Sequence, residues 1–423
     1  MISSSFFRTL TGVLGANAFN NLISFLIIMF AARTFGPGDF GKLSMAISIT
    51  ILFSLILDFG LWLTLVRMYN AEASPSKRNA LIRAILGFKG IVLLVVVPLS
   101  LVLQELTVVI LPIFAGYDLL VYLSFLSGGL LSVWITMRSI EQARRHFRSF
   151  ERYTVIFGLL KLASFAAMYL SGTLSLIGVF VSLYTLPLVG LLGYAWVMNY
   201  SAFWKASAHN YQGKYVGLLK QAYSYSVWVG ASVLCYVGLQ RLPEFALARA
   251  SNAKEVGLYG AALALITVLS LMNDALRTII LPDVTALRTS QDRRIFRKRV
   301  LRVAPVFFGI ATLTLASMAL MQYYVLGGAY SASIPVFLIL GGSLVFAIYI
   351  GIFNTLVHSH GVPKLEATNN LGRIVVLAFL LFLLPKTAMF MSLAFALVLV
   401  AGEIRVYIVL RNKESDVSDV SAD

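Results

Sequence analysis

The sequence has 423 residues, of which 59% are apolar and 12% are charged, and its mean hydropathy is +0.86. Soluble domains carry about 25% charged residues, so the composition excludes a soluble enzyme and indicates a membrane protein with many spans. Lys and Arg exceed Asp and Glu by 34 to 18, a formal net charge of +16. In a membrane protein, an excess of basic residues indicates first of all how the spans are oriented, and only secondarily that a binding partner is anionic.

Few residues are available for metal binding or nucleophilic catalysis. The chain has one cysteine, Cys235, and four histidines, and the pair His358 and His360 has no further ligand types nearby in the sequence. The pattern predicts no disulfide framework, no metal site, no cofactor and no catalytic residue. Nucleic-acid binding would need a folded basic domain, and the sequence contains none.

Apolar stretches of about 20 residues, the length that crosses a bilayer, recur along the whole chain. The N-terminal stretch lacks a signal-peptide core and is read as a retained span. The twelve predicted spans are 10–32, 43–66, 83–103, 119–138, 153–172, 175–198, 219–247, 257–281, 303–325, 332–357, 366–385 and 388–410.

The basic residues fix the orientation of these spans. With the N-terminus inside, the inner segments hold 25 of the 34 Lys and Arg and the outer segments five. This bias predicts that both termini are cytoplasmic. The basic inner loops are expected to contact anionic membrane lipids.

The two halves of the chain align at an offset of 216 residues. Arg33 then falls on Arg249, Gly41 on Gly257, and Asp58 on Asp274. An even number of spans separates the copies, so the repeat is parallel, and such duplications place a substrate path between halves. We therefore predict an all-α membrane protein with an N-terminal lobe at 1–200, a C-terminal lobe at 201–412 and a disordered polar tail at 413–423.

Three predicted spans carry polar stripes at helical spacing. Such stripes either line an aqueous cavity or bind neighbouring helices through hydrogen bonds. The stripe of the first span is Asn17, Asn20, Asn21 and Ser24; that of the seventh is Tyr225, Trp228, Ser232, Tyr236 and Gln240; that of the eleventh is Glu366, Asn369, Asn370 and Arg373. Because the first and seventh spans are repeat equivalents, we expect Asn17, Asn20, Asn21, Ser232, Tyr236 and Gln240 to line a path between the lobes.

Four cations lie inside the predicted spans. Cationic side chains in a cavity suit a phosphate-bearing substrate, so the predicted substrate-binding set also contains Lys89, Lys161, Arg241 and Arg277. Alternatives stay open for three of them. Lys89 could extend to the inner surface, Arg241 could pair with Glu244, and Arg277 could pair with Asp274.

A second set of charged residues is predicted to act in gating or coupling: Asp58, Asp274, Arg33, Arg249 and Arg373. Buried carboxylates need partners. Asp58 has no cation three or four residues ahead, so its partner must come from another helix, or it caps backbone groups near Gly60.

Several segments resemble the polysaccharide transporter family of the multidrug/oligosaccharidyl-lipid/polysaccharide exporter superfamily. Residues 33–41, RTFGPGDFG, resemble that family's R-x-L-G-P-x-x-Y/F-G loop, and residues 57–61, LDFGL, its D-F-G-L motif. Three weaker landmarks follow in the family order at 255–259, 326–330 and 361–364. One departure is Gln240-Arg241, where relatives often carry an acid.

The resemblance implies twelve helices in two lobes and translocation of an undecaprenyl-pyrophosphate-linked oligosaccharide by alternating access. It implies a bacterial inner membrane location and a non-enzymatic role in O-antigen or exopolysaccharide assembly. Whether the protein also contacts a polysaccharide polymerase stays open. Two other functions compete: a multidrug or cation antiporter of the same superfamily, and a membrane polysaccharide polymerase or ligase.

Overall fold

The computed structural model of the chain describes residues 4–200, 215–250, 252–267, 269, 290–354 and 363–420. These ranges are helical almost throughout, and no strand occurs in them. The helices are α1 (Ser4–Asp58), α2 (Leu61–Ala71), α3 (Pro75–Ile110), α4 (Asp118–Ala143), α5 (Phe147–Leu170), α6 (Leu176–Phe180), α7 (Leu186–Ala195), α8 (Tyr215–Arg249), α9 (253–267), α10 (Ser290–Leu326), α11 (Ser333–Asn354), α12 (Pro363–Leu383) and α13 (Ala388–Val420). Short π-helical turns at Val181–Thr185 and Trp196–Tyr200 make 176–200 one continuous segment.

Every predicted span overlaps helical residues. Within the described ranges, eight helical segments are long and apolar enough to cross a membrane, or nine with the bent helix α8. One of them, Thr11–Ala71, contains two predicted spans, and Thr368–Leu383 is a shorter apolar helix. The prediction of an all-α integral membrane protein is confirmed, and a count of about twelve spans agrees with these helices.

Glycine marks the two backbone breaks in the first 71 residues. Gly36 has φ 71° and ψ 173° inside α1 and is followed by Pro37, so the chain turns between the first two spans. The second break separates α1 from α2, where Phe59 has φ 43° and Gly60 has φ 78°. Positive φ costs little for glycine and more for phenylalanine, so this second break needs support from its surroundings.

Helix α3 shows how the protein is built for lipid. Large apolar side chains on this helix are exposed, with Leu94 at 75% and Val109 at 78% exposure, whereas Lys89 on the same helix is fully buried. This arrangement is the reverse of a soluble helix and is expected where the surrounding solvent is hydrocarbon.

The described chain divides into two compact units. The first unit comprises 1–35 and 42–237, and the second comprises 36–41 and 238–423. The interior of the first unit contains an apolar cluster in which the Trp134 ring lies 6.1 Å from Tyr153 and 5.9 Å from Phe157, between ring centroids. In the second unit, Phe353 of α11 packs edge to face on Tyr407 of α13 at 5.5 Å.

Segment 36–41 packs closely on α9 within the second unit. A Cβ on Gly257 would collide with the Pro37 carbonyl oxygen, and one on Gly41 would collide with the Ala253 carbonyl oxygen. The two glycines related by the 216-residue offset therefore both serve the same contact, in which backbone lies against backbone.

The last helix extends into the predicted tail. Helix α13 continues to Val420, and the prediction of a disordered tail from residue 413 stays a prediction. No Gly or Pro follows Gly402 in the chain, and the Lys and Glu residues after Leu410 favour helix, so the local sequence allows the continuation.

Candidate functional site

The polar stripe of α1 is held by a lysine of α5 within the first unit. Lys161 Nζ donates to Asn20 Oδ1 at 3.2 Å and to Ser24 Oγ at 2.9 Å. The ammonium also lies 4.0 Å from the centroid of the Phe157 ring. The α1 side of this contact is half-buried, whereas Lys161 is only 5% exposed.

Close packing between the two helices makes this contact possible. Gly158 of α5 faces the Phe19 ring and the Asn20 Cα, and a Cβ at 158 would lie 3.1 Å from Phe19. The absence of that side chain lets α1 approach α5 one turn before Lys161.

A second cation, Arg138 of α4, binds the same stripe. Its Nη2 donates to Asn17 Oδ1 at 3.1 Å, and its guanidinium lies 4.5 Å from the Phe150 ring centroid. The Arg138 Nε is buried, and no group among the described residues accepts a hydrogen bond from it. Asn21, the remaining predicted member of the stripe, accepts a long hydrogen bond of 3.4 Å from Asn20.

Arg138 and Lys161 thus have neutral partners only. Among the described residues, no carboxylate lies within ion-pair distance of either cation, and the two positive charges repel each other. Glu151 of α5 packs against Gly12 of α1 and pairs with neither of them. Buried charge without a counter-ion is costly, so the site is suited to an anion. These contacts are made inside the first unit, and the role of the stripe in a path between two lobes stays a prediction.

Lys89 is placed differently from Lys161. Its Nζ lies 3.1 Å from Asp58 Oδ1, and both side chains are fully buried. It also donates to Ser132 Oγ at 2.6 Å and to the Leu57 carbonyl oxygen at 3.0 Å. All three N–H donors of an ammonium are then used, so Lys89 has none left for a substrate in this structure.

Asp58 is satisfied as fully as its partner. Its Oδ2 accepts from the Trp62 backbone N–H at 3.2 Å, and Thr136 donates to Oδ1 at 3.4 Å. Both sequence-based alternatives hold: the cation comes from another helix, and the carboxylate caps the backbone beside Gly60. The Lys89 contact with the Leu57 carbonyl supports the break between α1 and α2, because that break frees backbone acceptors.

The stripe of α12 is paired with α13 in the second unit. Arg373 Nη2 lies 2.9 Å from Glu403 Oε1, and Arg373 Nη1 donates to Asn370 Oδ1 at 3.2 Å. Asn369 donates to the Gly402 carbonyl oxygen at 3.2 Å, and a Cβ on Gly402 would collide with the Arg373 guanidinium. These contacts are the hydrogen-bonded helix pair that we considered as the alternative to a cavity.

In the predicted stripe of α8, Ser232, Tyr236 and Gln240 are half-buried, whereas Tyr225 is exposed. Arg241 pairs with Glu244 at 3.4 Å, as the sequence alternative proposed. Ser232 and Tyr236 take part in further contacts, and the Gln240 carbonyl oxygen accepts from the Tyr259 hydroxyl at 3.4 Å. Their role in a substrate path stays a prediction.

Four gating or binding residues remain. Asp274 and Arg277 lie outside the described residues. Arg33 and Arg249 are both exposed, one in each unit, and their role in gating stays a prediction.

Comparison with known proteins identifies the family of this chain. The polysaccharide biosynthesis protein family matches residues 10–282, more than half of the chain. The chain belongs to this family. No curated protein matches the sequence.

Solved structures of two kinds share the fold of this family member. One is titled lipid II flippase MurJ, inward closed conformation, with 14% identity and a TM-score of 0.67 over 94% of this chain and 86% of that one. The other is a multidrug resistance MATE family transporter of the MOP superfamily, inward-facing, with 12% identity and a TM-score of 0.69 over 96% of each chain. The family resemblance seen in the sequence is therefore confirmed by the family match, and the solved structures show a shared fold.

Sequence reasoning missed Arg138. It stands at the last position of a predicted span, beside the basic loop at 144–148, and was counted with the cytoplasmic residues. One signal was available: Arg138 follows Trp134 by four residues, so the two share a face of α4. Trp134 is buried in the apolar cluster of the first unit, which places Arg138 toward the interior.

Proposed function

We propose that the protein is a flippase that moves an undecaprenyl-pyrophosphate-linked oligosaccharide from the inner to the outer leaflet by alternating access. It would act without catalysis or a cofactor in the bacterial inner membrane, with both termini cytoplasmic and two lobes at 1–200 and 201–412. The family match and the shared fold support a transporter of polysaccharide assembly.

One observation carries the substrate assignment. Lys161 is 5% exposed, lies well inside a spanning helix and has only neutral hydrogen-bond partners. An intramembrane cation of this kind marks a ligand path, and a pyrophosphate head group supplies the missing negative charge. A transporter of cationic drugs, the competing function, needs acids at such a site instead.

The test is flipping by the purified protein in liposomes that contain a lipid-linked oligosaccharide. The fraction of oligosaccharide that an externally added glycosidase can digest reports transport. Lys161→Ala should abolish flipping, and in cells it should abolish surface glycan at near-normal protein level. Lys161→Arg, which keeps the charge, should retain part of the activity.

Lys77→Ala is the matched control, because Lys77 is 55% exposed at the surface and its loss should leave flipping unchanged. Wild-type flipping by Lys161→Ala would remove Lys161 from the path. Export of a cationic dye by the same liposomes, without oligosaccharide flipping, would instead support the antiporter.

A further inference from the structure

We propose that Arg138 and Lys161 together form one site for the two phosphates of the substrate, and that the α1 stripe occupies this site until a pyrophosphate displaces it. The inference rests on the proposed function for the identity of the substrate. It adds a binding residue, Arg138, and a link between binding and the movement of α1.

The first step is the geometry of the two cations. Arg138 binds Asn17 and Lys161 binds Asn20, two residues separated by less than one helical turn, or about 4.5 Å along the axis. The cations reach α1 from two different helices, α4 and α5. They therefore present two donor groups side by side, as a ligand with two linked anionic groups requires.

The second step concerns what occupies the donors. The acceptors are two amide oxygens, Asn17 Oδ1 and Asn20 Oδ1, and the hydroxyl of Ser24. Neutral acceptors bind a cation more weakly than phosphate oxygens do. The Arg138 Nε remains buried without an acceptor among the described residues, so the site has more donor capacity than α1 uses.

The third step follows from burial. Lys161 is almost fully covered, and its hydrogen-bond partners on the covering side all belong to α1. A phosphate can reach Lys161 only when the α1 side chains give way. Binding is thereby coupled to a shift of α1. The ligand must have a higher affinity for the conformation in which the α1 side chains have moved away from the two cations than for the conformation in which they bind them.

Substitutions in the stripe distinguish displacement from ordinary ligand binding. If Asn17 and Asn20 compete with the ligand, then Asn17→Ala and Asn20→Ala should tighten pyrophosphate binding. Asn17→Asp should weaken it by about tenfold or more, since a carboxylate on Arg138 is a stronger competitor. If the amides instead bound the substrate, the alanine variants would weaken binding.

The experiment measures inorganic pyrophosphate binding to the purified full-length protein by calorimetry, with sulfate as the reference anion. Arg138→Gln and Lys161→Met should each raise Kd by about tenfold or more, and Arg138→Lys should recover part of the loss. If Arg138→Gln does not fold, the opposite signs of Asn17→Ala and Asn17→Asp still decide the question.

Three outcomes overturn the inference: no pyrophosphate binding by the wild type, an unchanged Kd in Arg138→Gln, or weaker binding in Asn17→Ala. The proposed function fails separately. If the substitutions change the pyrophosphate Kd in the expected directions but the protein does not flip the lipid-linked oligosaccharide, that result would support the two-cation site and contradict the flippase assignment.

Discussion

The pair formed by Lys89 and Asp58 offers the sharpest energetic test. Lys89→Met replaces the lysine by an uncharged side chain of similar length. The Asp58 carboxylate, which is fully buried, is then left without its counter-ion. Removing one partner of a buried pair costs about 3–5 kcal/mol. Lys89→Met should therefore lower the free energy of unfolding by about that amount.

The double variant Asp58→Asn/Lys89→Met should recover most of this loss. The single amide oxygen of the asparagine can still accept from the Trp62 N–H, and its NH2 group can donate to the Thr136 hydroxyl. The asparagine carries no charge, and replacing a whole buried pair by uncharged groups is often nearly neutral. Because the two residues touch, the effects of the single substitutions should not add.

The assay is reversible unfolding in mixed micelles, followed by tryptophan fluorescence, for both single variants and the double variant. Lys77→Met is the control, since an exposed pair such as Lys77 with Glu72 contributes at most about 1 kcal/mol. Wild-type stability of Lys89→Met together with lost flipping would refute the structural role and return Lys89 to the predicted substrate-binding set.

Two further predictions concern the second unit and the topology. Gly257→Ala should cost about 1–3 kcal/mol in the same unfolding assay, because its Cβ would meet the Pro37 carbonyl oxygen; Gly342→Ala, which faces open space, should not destabilise. A cysteine introduced at Ser331 should react with a membrane-impermeant reagent added outside the cell, whereas a cysteine introduced at Ser290 should not. Labelling at 290 in intact cells would overturn the orientation of the spans.

The sequence predicted the all-α membrane architecture, because the length of a span follows directly from the thickness of the bilayer. The orientation inferred from the basic residues stays a prediction. The sequence also predicted two ion-pair relationships. Asp58 was expected either to find a partner on another helix or to cap backbone groups near Gly60, and the structure has both Lys89 and the Trp62 N–H as partners. Arg241 and Glu244 share a helix face, and they pair.

The candidate site was only partly predictable. The spacing of Asn17, Asn20 and Ser24 showed a polar face on α1 but not which helices meet it. That information depends on the close packing at Gly158 and on the direction in which Arg138 points at the end of α4. Neither is a local property of the sequence, so Arg138 was assigned to the basic loop and Lys89 to the substrate path.

The partners of the buried cations separate structural from functional charges in this protein. Lys89 and Arg373 each reach a carboxylate and further acceptors within their own unit, so each has a structural partner. Within the part of the chain that the structure describes, Lys161 and Arg138 contact amides, a hydroxyl and aromatic rings and no carboxylate. Folding stability alone would favour an acid or an apolar residue at both positions. We therefore propose that the two cations serve a ligand that brings its own negative charge.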